Sequence, residues 1–283
     1  AGADIYVTLE PCSHHGKTPP CTEAIMEAGL SNIHYGAKDL NPEVSGHQVL
    51  ADAGLNVFHQ PDEAIDQLYA PFFSHLGRHR PNVTLKCAMS LDGRLALDDG
   101  TSTWITGEAA RADVHQERHV HDAILVGGGT LLHDDPLLTA RIEGGGASPV
   151  PVVLAGDREL PDELKIFEHP ERAIIYTTNE ANLKHDGKCE VRVGAWSPEA
   201  ILDDLYGKGI SSLFVEGGAR VLTAFIKEGL YDRILTYVAP KIFGESRHTL
   251  YKEQPASMEA AVQLEMVDVE KLGSDLKLTY RKA

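Results

Sequence analysis

The chain has 283 residues, 42% of them hydrophobic and 24% charged, an ordinary globular balance and enough length for about two domains. Its formal net charge is -16, and no basic stretch offsets it, so nucleic acid is excluded as a partner and any anionic ligand must be held by a local pocket. No apolar run approaches the roughly 18 residues of a membrane span, and no basic, apolar signal segment opens the chain, so no membrane partner is expected and a cytoplasmic location is the default.

The opening AGADIYVTLEPC reads like the middle of a domain, because the apolar alternation of Ile5, Val7 and Leu9 needs strand partners. A chain truncated at its N-terminus is therefore expected. Asp4–Leu9 reads as a strand, Cys21–Gly29 as a helix capped by Gly29, and Ile33–Ala37 as a second strand. His47–Ala53 follows as a helix and Asn56–His59 as a third strand. This alternation predicts crossover connections and a mostly parallel sheet over residues 1–60. Residues 61–80 read as a connector, helical over Asp62–Leu76 but kinked or split by Pro71. A second domain is expected over 81–283.

From Pro81 a new alternation begins. Val83–Ala88 is a predicted strand, and Glu108–Arg118 a helix with Thr106 as its N-cap. Ala123–Val126 is a buried strand leading into Gly127-Gly128-Gly129-Thr130. Val150–Leu154 and Ala173–Thr177 are strands, Pro198–Gly207 is a helix, and Ser212–Val215 is a strand ending at Glu216-Gly217-Gly218. Ala219–Glu228 is a helix and Arg233–Ala239 a strand. Val262–Val269 and Leu276–Arg281 form a hairpin about Gly273. The class is α/β with an antiparallel edge.

Of the four cysteines, Cys12 and Cys21 lie close together amid polar and proline residues, a pattern that favours metal binding over a disulfide framework. A turn that opens a helix favours thiolates. A catalytic zinc site takes three protein ligands and a water, so these two need a third. Zinc nucleobase deaminases supply it from a His-x-Glu segment upstream of a Pro-Cys motif, with the Glu shuttling protons. Here only eleven residues precede Cys12, and eight separate the two cysteines.

The run TLEPCSHHGKTPPC, with Asp39-Leu40-Asn41-Pro42-Glu43-Val44-Ser45-Gly46 after it, resembles the deaminase half of the riboflavin-pathway bifunctional deaminase–reductases. The resemblance implies a cytidine-deaminase-like domain, present in part, with zinc on Cys12 and Cys21 and a substrate contact near Lys17. It also implies that the third ligand and the proton-shuttling Glu lie upstream of the residues present. No deaminase activity is expected from this chain by itself. His14 or His15 is a weaker candidate for the missing ligand.

A second set of motifs resembles the reductase half of the same family, which has a dihydrofolate-reductase-like fold. They are Leu85-Lys86-Cys87-Ala88-Met89-Ser90-Leu91-Asp92-Gly93-Arg94, Ser102-Thr103-Trp104-Ile105-Thr106, Arg118, Gly127-Gly128-Gly129-Thr130, Asp134-Asp135-Pro136-Leu137-Leu138-Thr139-Ala140-Arg141 and Val215-Glu216-Gly217-Gly218-Ala219. Each alone is weak; their order and spacing together are specific. Glycine-rich strand-to-helix turns let backbone N–H groups approach phosphates, although Gly-Gly can also be only a tight turn. The pattern is not the Gly-x-Gly-x-x-Gly of a Rossmann domain. The resemblance implies NADPH on Ala88, Trp104, Thr130, Asp134, Gly218, Ala219, Arg220, Val221, Leu222, Thr223 and Ala224. It implies substrate contacts from Ser102, Arg118, Leu138, Arg141 and Glu216. Arg118 and Arg141 suit a phosphate, because guanidinium matches it bidentately. Lys86 and Asp134 are the polar groups expected near the reaction, and the residues do not decide which of them handles the proton. His115 and His119 share a helix face, but no carboxylate signature accompanies them, and a solvated face accounts for them.

The expected activity is reduction of 5-amino-6-(5-phosphoribosylamino)uracil to its ribitylamino product with NADPH, behind a zinc pyrimidine deaminase module that acts one step earlier. Another reductase of the same fold, and a non-catalytic zinc- or nucleotide-binding protein, remain as alternatives. A homo-oligomer is compatible with the sequence, which does not set the oligomeric state.

Overall fold

The computed structural model describes residues 2–16, 18–102 and 105–283, which fall into two compact units, Ala1–Arg80 and Pro81–Ala283. In the first, β1 (Asp4–Leu9), α1 (Cys21–Glu27), β2 (Asn32–Ala37), α2 (Gly46–Asp52), β3 (Asn56–His59) and α3 (Glu63–Arg78) follow in order. The strands form a parallel sheet in the order β1-β2-β3. Ile25, Ile33 and Leu50 make its small core, with Ile5, Leu30, Leu55 and Val57 packed around them. Asp62 caps α3 by accepting from the backbone N–H groups of Ala64 and Ile65. The helix continues through Pro71 to Arg78, longer than expected and not split. A proline there forfeits one backbone bond, and α3 retains its contacts with β2 on either account.

The second unit contains β4 (Asn82–Ser90), α4 (Glu108–Val120), β5 (Ala123–Gly127), α5 (Gly128–Asp134), β6 (Val150–Gly156), β7 (Ile174–Thr177), β8 (Glu190–Val193), α6 (Pro198–Gly207), β9 (Ser212–Val215), α7 (Ala219–Lys227), β10 (Arg233–Ala239), β11 (Leu264–Leu272) and β12 (Asp275–Lys282). Among the described residues these strands form a nine-stranded sheet in the order β11-β12-β10-β4-β9-β5-β6-β7-β8. The pairs from β10 through β8 are parallel, and β12 runs antiparallel to both β10 and β11. Helices cover both faces, so the central strands are apolar on both sides. Leu85, Leu125 and Val215 pack with Ile201, Leu205, Leu222 and Phe225 on one face; Ile124, Val126 and Phe214 pack with Ala110 and Val114 on the other.

Three local features depart from the sequence expectation. The N-cap of α4 is Gly107 and not Thr106; no side chain of the cap residue bonds the helix, and the Gly107 N–H instead donates to the Asp275 carboxylate at 2.6 Å. The carboxylate from the C-terminal hairpin thus supplies the negative charge that this helix start favours. The glycine turn after β5 is already helix α5. Strand β8, which was not anticipated, pairs with β7 at the sheet margin. No helix among the described residues is long and apolar enough to cross a membrane.

Candidate functional site

The C-terminal ends of parallel strands in an open α/β sheet form a natural crevice. In the second unit a cleft of about 960 Å³ opens at the ends of β4, β9, β5 and β6. Lys86 and Ala88 enter it from β4, Gly127 from the end of β5, Gly128 through Thr130 and Asp134 from α5, Glu216 from the turn after β9, and Ala219 through Leu222 with Ala224 from α7, preceded by its cap Gly218. Ser102, Arg118 and Leu138 complete the set of expected residues on its wall.

The two glycine turns are packed against each other. A Cβ on Gly217 or Gly127 would collide with Val221, and one on Gly218 would lie 3.2 Å from the Thr130 hydroxyl. Gly128 abuts the backbone of Ala155 in β6, which leaves no room for a side chain. Two helix starts, α5 and α7, therefore open side by side on the cleft, each with unpaired backbone N–H groups suited to phosphate oxygens.

At the other end of the cleft lies a charged cluster. Arg118 donates from Nε and Nη2 to the two carboxylate oxygens of Glu216, at 2.6 and 3.1 Å, and from Nη1 to the Thr139 carbonyl at 3.1 Å. Lys86 Nζ stands 3.5 Å from the same carboxylate and 5.9 Å above the Tyr237 ring. Burial, the largest influence on Glu216, pushes its carboxyl up, but the Arg118 and Lys86 cations outweigh it and hold it at about 2. Glu216 is therefore an anion at neutral pH. Asp134 behaves oppositely: burial raises its carboxyl above the usual range, with His133 only partly countering. Two acids in one cleft, pushed in opposite directions, suit distinct roles of fixed charge and proton carrier.

Leu138 has φ of 61°, a left-handed conformation that a leucine rarely adopts, and it is buried on the cleft wall. Such strain persists where surrounding contacts over-determine it, and it clusters at ligand sites. The segment Ser90 through Ala96 is fastened to residues 243–248 along the cleft. Asp92 accepts from Ser90 Oγ, Phe243 N and Gly244 N at 2.6, 3.1 and 2.7 Å; Arg94 donates to the carbonyls of Gly244 and Ser246. The Ser-Leu-Asp-Gly-Arg motif thus has a positioning role that its sequence did not disclose.

Some expected residues lie elsewhere. Arg141 is exposed and off the cleft wall, its backbone N–H donating to His115 Nδ1 at 3.4 Å. Thr223 is buried and accepts from the Lys252 backbone N–H at 3.1 Å. Trp104 and Lys17 fall outside the described residues. Arg158, Arg247, His248 and Lys252 line the cleft and were not foreseen. Arg158 lies in the turn after β6 and the other three in a loop after β10, and no motif marks any of them.

In the first unit, Cys12 and Cys21 are neighbours: the Cys21 backbone N–H donates to Cys12 Sγ at 3.2 Å. That hydrogen-bonded sulfur, and then burial, push the Cys21 thiol up. The Pro-Cys loop is locked to the start of α2, where His47 N donates to Glu10 Oε1 and Ser45 N to Ser13 Oγ, both at 2.9 Å. Gly46 lies so close to the Pro11 carbonyl that no Cβ fits. Among the described residues no group of three or more His, Cys, Asp or Glu side chains is assembled to hold a metal. The two thiols fit part of a zinc ligand set and not a whole one.

The family described as RibD C-terminal domain matches residues 81–278. The riboflavin biosynthesis protein RibD of Aquifex aeolicus (strain VF5) is 38% identical over 289 residues, covering 99% of this chain and 81% of that protein. A diaminohydroxyphosphoribosylaminopyrimidine deaminase/5-amino-6-(5-phosphoribosylamino)uracil reductase from Thermotoga maritima superposes with a TM-score of 0.88 at 33% identity, over 98% of this chain and 79% of that one. Acinetobacter baumannii RibD superposes with a TM-score of 0.89 at 33% identity, over 100% and 81%. The α/β class and the dihydrofolate-reductase-like form of the second domain stand as the sequence implied. The chain belongs to the RibD family of riboflavin-biosynthesis enzymes and carries the family's C-terminal, reductase domain.

Proposed function

We propose that the chain catalyses the NADPH-dependent reduction of 5-amino-6-(5-phosphoribosylamino)uracil to the ribitylamino product. The observation that carries this reading is the cleft in which two glycine-rich helix starts face the Lys86–Glu216–Arg118 cluster and Asp134. The glycine turns suit a dinucleotide pyrophosphate, and the charged end suits a polar sugar. NADPH, when bound, supplies the hydride. The ribosyl C1′ accepts it while the bond from C1′ to the ring oxygen breaks, and that oxygen takes a proton. Asp134, a cleft-wall carboxyl that partial burial raises above the ordinary carboxylate range, is the donor in this reading. Lys86, fixed by Glu216, stabilises the oxygen as charge develops on it.

Arg118 has its donors engaged by Glu216 and Thr139, so it acts by holding Glu216 and not by gripping the phosphate. For Arg141, exposed and off the cleft wall beside His115, the phosphate role rests on the family resemblance alone. Leu138, Ser102 and Glu216 frame the substrate; Ala88, Thr130 and Gly218 to Ala224 frame the cofactor, with Thr223 contributing from behind the wall. For the first unit we propose descent from a zinc deaminase, with Cys12 and Cys21 as two of the ligands. The described residues do not complete that site, and no deamination step is assigned to them. Oxidation of NADPH, followed at its near-ultraviolet band, tests the reductase reading. It should depend on the deaminated ribosylaminouracil phosphate; a folded chain that binds both compounds without turnover would refute it.

A further inference from the structure

Tyr237 is fully buried on β10, behind the cleft wall. Side chains alternate along a strand, so Leu85 and Cys87 of β4 pack on one face of the sheet. Lys86 and Ala88 share the other face with Leu235 and Tyr237, their register partners on β10. The Tyr237 ring stands beneath the Lys86 side chain, with Nζ 5.9 Å from its centroid. Lys86 also meets the Glu216 carboxylate at 3.5 Å. Its ammonium is thus held between an anion and an aromatic face, and a ring away from water attracts a cation.

The ring is itself anchored. Its hydroxyl donates to Asp113 Oδ2 at 2.6 Å, and the same oxygen lies 2.7 Å from Lys277 Nζ. Lys277, the partner of Tyr237 on β12, also reaches Glu117 Oε1 at 3.1 Å, and Glu117 Oε2 accepts from Arg233 Nη2 at 2.5 Å. Two carboxylates from one face of α4 therefore meet two cations from β10 and β12, and the paired charges can lie under the helix. Burial, the largest influence on Lys277, works against its cation, but Asp113 and Glu117 outweigh it. Burial and then the Asp113 hydrogen bond push the Tyr237 phenol up, so its ring stays neutral. The cluster fixes α4 against the sheet, and Arg118, the next residue along, meets Glu216 from there.

Resting on the reductase reading above, we propose that Tyr237 is a positioning residue, whose ring, anchored through Asp113 and Lys277, holds the Lys86 ammonium in place for the reaction. Ring fluorines draw electron density from an aromatic face and weaken its hold on a cation with little change of shape. The test is steady-state turnover of NADPH and the deaminated ribosylaminouracil phosphate by the full chain. Tyr237→Phe keeps the ring and should stay within about threefold in kcat. The same variant bearing one, two or three ring fluorines should lose kcat stepwise, to about tenfold, with KM for both compounds within about twofold. Tyr237→Leu removes the face and should lower kcat by about tenfold or more. Tyr176 is the control, a fully buried tyrosine whose hydroxyl donates to Asp204 at 2.8 Å on the far side of β6 from β5. Tyr176→Leu disturbs the core comparably and should leave kcat within about twofold. A kcat that ignores the fluorine series, or falls alike in the two leucine variants, overturns the proposal and leaves the reductase reading intact. If the unaltered chain oxidises no NADPH with this substrate, both fall.

Discussion

Arg118 and Glu216 join the middle of the reductase domain through a two-pronged ion pair, Nε to Oε1 at 2.6 Å and Nη2 to Oε2 at 3.1 Å, linking α4 to the turn after β9. Removing one partner strands the other as a buried charge. Glu216→Gln should cost about 3 kcal/mol or more of stability in chemical denaturation and lower kcat/KM by roughly a hundredfold, because Lys86 loses its anchor. The pair also sets an acid response. Its folded carboxyl is held below its unfolded value, so its stabilisation is complete above the ordinary glutamate range and fades as pH falls towards about 2. Glu216→Gln should flatten that acid limb; an unchanged limb would remove the pair from the account.

Asp134 should trade stability for activity. Its carboxyl is raised by burial, so at neutral pH ionisation works against the fold, and Asp134→Asn should raise the thermal midpoint slightly. The same change should slow the chemical step by roughly 100-fold or more if Asp134 delivers the proton. In the unaltered protein the rate should fall as pH rises through the Asp134 titration. Full activity in the Asn variant would move the donor role to Lys86.

Adjacent glycines in α5 should respond oppositely to alanine. Gly128→Ala brings a Cβ within 2.9 Å of the Ala155 backbone, and about 1–3 kcal/mol of destabilisation is expected from such overpacking. Gly129 has open space around it and lies on the cleft wall. Gly129→Ala should therefore stabilise the helix by about 0.5–1 kcal/mol while weakening NADPH binding. Equal effects on both properties at both positions would contradict phosphate approach at this turn.

In the first unit, Gly46→Ala should disturb the cysteine loop, since the added methyl meets the Pro11 carbonyl one residue before Cys12. Thiol-alkylation rates of Cys12 and Cys21 should rise, while Ala51→Gly, elsewhere in α2, should leave them nearly unchanged. Equal rates in both variants would show that the α2 contact does not hold the loop.

Much of the fold was legible because local signals agree. Ser197 caps α6 and Pro198 begins it, so the Pro198–Gly207 helix could be read to the residue. Asp4–Leu9, Asn56–His59, Ser212–Val215 and Arg233–Ala239 are likewise bounded by turn residues and match the strands. α5 was not legible, because Gly128-Gly129-Thr130 is a poor helix start by propensity and is held instead by packing on β6. The site was legible wherever a motif carried it, as at Gly217-Gly218 and Lys86. The engagement of Arg118 by Glu216, the zipping of Asp92 to Gly244 and the arrival of Arg158 and Lys252 at the cleft all depend on contacts between distant segments. No local pattern encodes them.

The most direct test of the central claim follows the hydride itself. The chain is supplied with NADPH carrying deuterium at the transferable position of its nicotinamide ring, and with the deaminated ribosylaminouracil phosphate. The expected result is a ribitylamino product bearing one deuterium at C1′ and an equal amount of NADP⁺. NADPH oxidised without label in the product, or label on the pyrimidine ring, would contradict it.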